Sequence, residues 1–223
     1  MKAFVVDLDN KKNQSILKPN SHYSNNQAHQ VNEAAKKIDK LIKNAPYSND
    51  DIILNHNKIK EAFFSPFKPQ LKNAQVFLSH SHADKNKALE VKNYLENQIK
   101  RKVFIDSLFW DYKDDVLNKL AKYDDISRIE DAFTLILRES LQDMIEKCPY
   151  FVFLQSKNSV SNQGLSRITY SAWIYEELRI AHSISESRPI PMMESMQVFH
   201  DISPFLESFE TIRLSELSRI INS

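Results

Sequence analysis

Val76-Phe77-Leu78-Ser79-His80-Ser81-His82-Ala83-Asp84 joins an apolar run to polar residues and then at once to a helix signal. Val76 to Leu78 show no polar alternation, which suits a buried strand in a parallel sheet covered on both faces. Ser81 is placed as a helix N-cap, and Asp84 three residues on completes the spacing of a capping box with Asp in the Glu role. Ala88, Val91, Leu95 and Ile99 then recur at helical spacing. Val103-Phe104-Ile105-Asp106 repeats the device of a short apolar strand with a polar end. Strand, helix and strand in this order place polar groups at strand C-termini, the edge where open α/β sheets bind ligands.

Outward from this unit, strands are expected at 75–79, 102–106 and 150–155, with further ones near 190–193 and at 211–214. Helices are expected at 82–99, 113–122, 127–147, 172–184 and 215–221. Such alternation favours a parallel sheet with helices on both faces. Upstream, 2–6 reads as a strand, the Asn-rich stretch after Asp9 as irregular, and 27–45 as a helix with Val31, Ala34, Ile38, Leu41 and Ile42 on one face. Pro46 ends that helix, a second runs over 51–63, and Pro66 and Pro69 mark a linker. The expected organisation is a small helical N-terminal extension over 1–72 and an α/β domain over 73–223.

Composition narrows the function classes. The chain has 223 residues, 30 basic and 29 acidic, for a formal net charge of +1. That balance gives no general attraction to nucleic acid or to anionic membrane. Cys148 is the single cysteine, so no internal disulfide forms, no Cys/His zinc spacing exists, and a reducing cytoplasm is the simple expectation. No run has the length of a membrane span or the apolar core of a signal peptide. Gly164 is the only glycine, which excludes a Gly-rich phosphate loop and leaves most turns to Asn, Asp and Ser.

The order FLSHSHAD (77–84 with Val76 before it), VFIDS (103–107), YFVFLQSKNSVS (150–161) and SAWIYEEL (171–178) resembles a bacterial Toll/interleukin receptor (TIR) domain from about Gln75 onward. The resemblance implies a flavodoxin-like sheet and, for the members that cleave NAD, a catalytic glutamate in a Trp-x-x-x-Glu pattern. The matching residues are Trp173 and Glu177, which share one helix face at i, i+4 spacing, while Glu176 points about a quarter-turn away. A substitution at Glu176 is therefore expected to be nearly silent. Nicotinamide leaves NAD as a neutral molecule without a general acid. The remaining difficulty is positive charge on the ribose, which one carboxylate can stabilise. The competing reading makes Glu177 an ordinary solvated helix residue.

The resemblance also implies that Ser79, His80 and Ser81 line the nucleotide pocket, with a helix N-terminus favouring an anion nearby. A plain capped helix start competes with that reading. It implies further that Asp106, Ser107, Phe109 and Trp110 belong to a loop that covers substrate or joins neighbouring copies. Against this, one aromatic could simply fill the core, the loop has no glycine, and the charged stretch 107–149 is long for the family. His80 and His82 make a His-x-His pair without a third ligand, so no metal is expected. Asp7-Leu8-Asp9 imitates the Asp-x-Asp of aspartyl-nucleophile phosphatases, but Lys11 stands where that motif has Thr or Val, and the stretch reads as a strand end with solvated charges.

The resemblance thus implies an enzyme that breaks the nicotinamide–ribose bond of NAD as its substrate, with no cofactor, and yields an ADP-ribose-derived signal. Cyclisation is one of its possible outcomes. A stand-alone domain of this kind resembles the signal-producing protein of Thoeris-type antiviral defence, with self-association through TIR domains and a separate effector as partners. Two other classes stay open: a non-catalytic adaptor or assembly module, and a virulence factor that mimics host TIR adaptors.

Overall fold

The computed structural model describes residues 1–17, 27–44, 47–48, 51–52, 55–64, 73–105, 107–121, 127–163, 166–185 and 200–222. In chain order it runs through β1 (Lys2–Asp7), α1 (Lys11–Gln14), α2 (Gln27–Lys43), β2 (Tyr47–Ser48), β3 (Asp51–Ile52), α3 (His56–Phe64) and β4 (Ala74–His80). A 3-10 turn, His82–Asp84, leads into α4 (Lys85–Ile99), β5 (Lys102–Ile105), α5 (Ser107–Leu120), α6 (Ser127–Lys147) and β6 (Tyr150–Gln155). The remainder is β7 (Ser161–Gln163), β8 (Ser166–Thr169), α7 (Ala172–Ser185), β9 (His200–Asp201), α8 (Ser203–Ser208), β10 (Glu210–Thr211) and α9 (Leu214–Asn222).

The main sheet has five parallel strands in the order β10-β1-β6-β4-β5. The expected mixed α/β architecture with a parallel sheet is therefore present. The N-terminal expectation is overturned: β1 does not belong to a helical extension but lies inside the sheet. It pairs in register with β6 from Lys2↔Tyr150 to Asp7↔Gln155, and with β10 at Phe4↔Glu210 and Val5↔Thr211. In a flavodoxin-like winding, the strand beside β6 would be the next one along the chain. Here β1 takes that place. The strand expected near 190–193 lies outside the described residues, as does Gly164. Asn13, buried behind β1, donates to the Asp7 carbonyl at 2.7 Å and accepts the Leu214 N–H at 3.2 Å, so it links the first strand to the start of α9.

Strand alternation gives the sheet two unlike faces. One carries Phe4, Val6, Val76, Leu78, Val103, Ile105, Val152 and Leu154 against Ala88, Val91 and Leu95 of α4 and Leu214, Leu217 and Ile221 of α9. The other is aromatic. Phe77 stacks on Phe151 at 5.7 Å between ring centres, and Phe151 meets Phe209 edge-on at 5.9 Å. Helix α7 packs against β1 and β4, burying Ile174, Leu178 and Ala181. Both faces are thus covered, which is why these strands read as continuous apolar runs.

The chain divides into two compact units that do not follow the expected boundary at 72/73. The sheet unit comprises 1–21, 74–107 and 142–223; the second unit comprises 22–73 and 108–141. Helices α2 and α3 and most of the long charged stretch after β5, residues 108–141, therefore build one body together. Its centre is Phe63, whose ring meets Phe64 and Tyr112 at 5.0 Å and Phe133 at 5.2 Å. The Tyr112 hydroxyl donates to the Phe63 carbonyl at 3.1 Å, and burial, with Glu33 nearby, raises its pKa. The expected helix over 51–63 is shorter than foreseen: Asp51 and Ile52 pair with Tyr47 and Ser48, and α3 starts at His56.

Cys148 is buried in the sheet unit, with its thiol directed at the Ala74 carbonyl at 3.8 Å. Burial pushes its pKa from 9.0 up to about 12, so the thiolate is disfavoured in the fold. Well below pH 9.0 the thiol is mostly neutral both folded and unfolded; as pH rises through 9.0 toward about 12 the unfolded chain ionises first, so this group costs stability through that window. Native protein at pH 8 is expected to resist alkylation by iodoacetamide, and urea-unfolded protein to react promptly. Equal rates would show that Cys148 is accessible. A second measurement addresses β1. Deleting residues 1–9 should abolish the cooperative thermal transition, because β6 and β10 lose their shared neighbour. A wild-type melt after that deletion would mean that the strand is dispensable.

Candidate functional site

Strand β4 ends in Ser79 and His80, both buried. Register separates them. Ser79 aligns with Phe153, which aligns with Val5, whereas His80 aligns with Leu154 and Val6 of the aliphatic face. Ser79 therefore points to the side covered by α7, and His80 to the side covered by α4 and α9. Of the expected lining residues Ser79, His80 and Ser81, the register thus puts His80 on the opposite side of the sheet from Ser79. The Ser79 hydroxyl is fully buried and makes no hydrogen bond to the described residues. His82 is exposed at the start of the 3-10 turn, and among the described residues no cluster of three metal-ligating side chains exists.

Helix α7 begins at a cap. Ser171 Oγ accepts the Ile174 N–H at 3.3 Å, and Thr169 Oγ1 accepts the Ser171 N–H at 3.2 Å. Its inner face buries Ile174, Glu177, Leu178 and Ala181. Glu177 is 0% exposed, and Trp173, one turn earlier, is half-buried. A wholly buried glutamate is rare, so the reading of Glu177 as a solvated helix residue is excluded. The same strand and helix periods place Ser79 and Glu177 on one side of the sheet.

Glu176 differs from its expected role. Its carboxylate holds Arg179 in a two-pronged pair, Nε at 2.9 Å and Nη2 at 2.7 Å, with a side chain only 13% exposed. That pair raises the Arg179 pKa. Glu176 is thus a structural partner, and substitution there is not a silent control. The far end of α7 is held by His182, whose Nδ1 lies 2.9 Å from Ser208 Oγ and whose ring meets Phe205 at 5.5 Å. Helix α8 and the small antiparallel sheet β7-β8-β9 fix the approach to α7, through Arg167 N–H donating to Ser203 Oγ at 2.7 Å and Ile202 N–H donating to the Arg167 carbonyl at 3.0 Å. The Ser/Asn-rich composition before Ser171 reads as loop, which hid this sheet.

The capping box at Ser81 and Asp84 does not form. Ser81 makes no side-chain cap, and the turn closes through the backbone, Asp84 N–H to Ser81 carbonyl at 2.8 Å. The Asp84 carboxylate turns instead to the loop after β6. The expected loop after β5 is corrected too: α5 starts at Ser107, so Ser107, Phe109 and Trp110 are helical. Without glycine or proline between 107 and 120, nothing in the chain interrupts that helix. Phe109 and Trp110 fall in the second unit, and Asp106 lies outside the described residues. At the end of β1, Asp7 Oδ1 accepts the Asp9 N–H at 2.8 Å, and Asp9 Oδ2 accepts the Lys157 N–H at 2.9 Å. This is a strand-end turn tied to a neighbouring loop. Among the described residues, no helix is long and apolar enough to cross a membrane.

No known protein family, curated protein or solved structure matches this chain.

Proposed function

We propose that this chain is a TIR-type enzyme that breaks the nicotinamide–ribose bond of NAD, with Glu177 as the carboxylate facing the developing ribosyl cation. The observation that carries the reading is the complete burial of Glu177 on the sheet-facing side of α7, one turn from Trp173. Ionisable groups kept from water on a fold's inner face concentrate at functional sites, because a low local dielectric strengthens their action on a nearby charge. Ser79, with its buried hydroxyl on the same side of the sheet, is the residue proposed to bind a ribose or phosphate oxygen. The product is an ADP-ribose derivative serving as a signal in antiviral defence, read by a separate effector. NAD is substrate, no cofactor takes part, and the setting is the cytoplasm.

A second reading, a non-catalytic assembly module, has an observation of its own: at 0% exposure, Glu177 presents no surface to a ligand in this arrangement. Nicotinamide release separates the two. Glu177→Gln keeps size and helix propensity while removing the charge, and should lower the rate by about 10²–10³-fold with a retained thermal transition. Glu207, whose side chain is 72% exposed, supplies the control, and Glu207→Gln should leave the rate unchanged. Equal rates in Glu177→Gln and wild type would falsify the catalytic assignment.

Self-association belongs to the same proposal. Specific activity should rise with protein concentration, and Trp110→Ala should reduce both assembly and turnover. Light scattering and nicotinamide release over a dilution series provide the check; constant specific activity over that range would remove assembly from the mechanism.

A further inference from the structure

We propose that Asp84 is a positioning residue: its buried carboxylate fastens the strand-end turn bearing Ser79 and Ser81 to the loop that follows β6. Asp84 is 3% exposed. One oxygen accepts the Ser156 hydroxyl in a short hydrogen bond, and the other accepts Asn158 Nδ2 at 2.9 Å. Ser156 Oγ in turn accepts the Asn158 N–H at 3.0 Å. The loop is closed on itself by Ser156 N–H to Ser159 Oγ at 2.8 Å and by Val160 N–H to the Ser156 carbonyl at 3.0 Å. Lys87 stands 3.9 Å from Asp84 and 3.6 Å from Asp9, and Asp9 holds the Lys157 N–H. The Asp84 carboxylate therefore joins the end of β4 to the loop after β6, and the end of β1 reaches the same loop separately, through Asp9 and the Lys157 N–H.

The geometry separates this role from helix capping. An aspartate at the start of α4 has free N–H groups within reach, and Asp84 makes no side-chain bond to them. Both oxygens go to a loop more than seventy residues away in sequence. Exposed ion pairs such as those of Lys87 contribute little. The buried, charge-assisted bonds from Ser156 and Asn158 are the stronger ones, and loss of either leaves a desolvated group without its partner. Ser79 and His80 are held by the ladder to β6, and the clamp ties the turn that follows them, up to Asp84, to the loop after β6. In the NAD-cleaving reading, on which the kinetic part of the inference rests, the clamp governs how Ser79 and Ser81 meet substrate and leaves the action of Glu177 on the ribosyl cation untouched.

The test compares wild type, Asp84→Asn, and the exchanged pair Asp84→Asn/Asn158→Asp. An asparagine at 84 keeps one acceptor for Ser156 and loses the other. The exchanged pair restores the lost bond with donor and acceptor reversed. Hydrogen exchange of the amides at 156–160 is read beside nicotinamide-release kinetics. Asp84→Asn should speed exchange by about tenfold or more and raise KM by about tenfold, with kcat changed by less than about threefold. The exchanged pair should return both to within about threefold of wild type. Unchanged exchange in Asp84→Asn, no recovery in the exchanged pair, or a fall in kcat at constant KM would each overturn the proposal. If Asp84→Asn loses its cooperative melt, Asn158→Ala carries the same test, since Ser156 still holds the carboxylate. If wild type releases no nicotinamide, the enzymatic reading falls and exchange alone decides the clamp.

Discussion

The parallel pairing of Lys2–Asp7 with Tyr150–Gln155 on one side and with Glu210–Thr211 on the other is the constraint on which the sheet depends. Strand β10 is two residues long and has β1 as its sheet neighbour. Without β1 it would have no ladder to join, and α9, which starts three residues later, would lose its anchor at Asn13. The Ile212 N–H extends that ladder by donating to the Val5 carbonyl at 3.0 Å. These contacts join the two ends of the chain, so their loop-closure entropy must be met before they contribute. Hydrophobic burial of Phe4, Val5, Val6 and Leu8 offsets that cost.

The two faces of the sheet differ in character, and the difference reaches the candidate site. Aliphatic side chains interlock with α4 and α9 on one face, while phenylalanines dominate the other, where α7 lies. A strand's period of two then sorts the polar residues at the end of β4 as strictly as it sorts the apolar ones. Ser79 goes with Phe77 to the α7 side, and His80 goes with Leu78 to the other. Two imidazoles close in sequence are thereby separated, one buried in the sheet and the other exposed on the turn.

Helix α7 is held at several points: a Ser171 cap at its start, the Glu176–Arg179 pair along its flank, and the contact of His182 with Ser208 near its end. Each bond by itself is modest, on the order of 1 kcal/mol for a neutral pair. Together they leave a helix carrying a buried glutamate few alternative placements, which is what a preorganised electrostatic site requires.

The parallel-sheet architecture and most helices were legible from apolar runs and from the 3.6-residue period, because both faces of the sheet are covered and local patterning survives in such strands. Tyr150–Gln155 and Ser127–Lys147 have the expected bounds. The i, i+4 relation of Trp173 and Glu177 was legible as well, since helix geometry alone dictates it. The burial of Glu177, the partner of Glu176 and the turning of Asp84 toward Ser156 were not, because each depends on an element distant in the chain. The same holds for β1: Phe4-Val5-Val6 announces a strand, but nothing local says that its neighbours are residues 150–155 and 210–211. Sequence determined the long strands of the main sheet and most of the longer helices, and which residue types stand at their ends. Tertiary structure decided which strand lies beside which, and hence which polar side chains are drawn out of water, because hydrogen-bonded pairing and burial are non-local and a strand's own residues do not encode its partner.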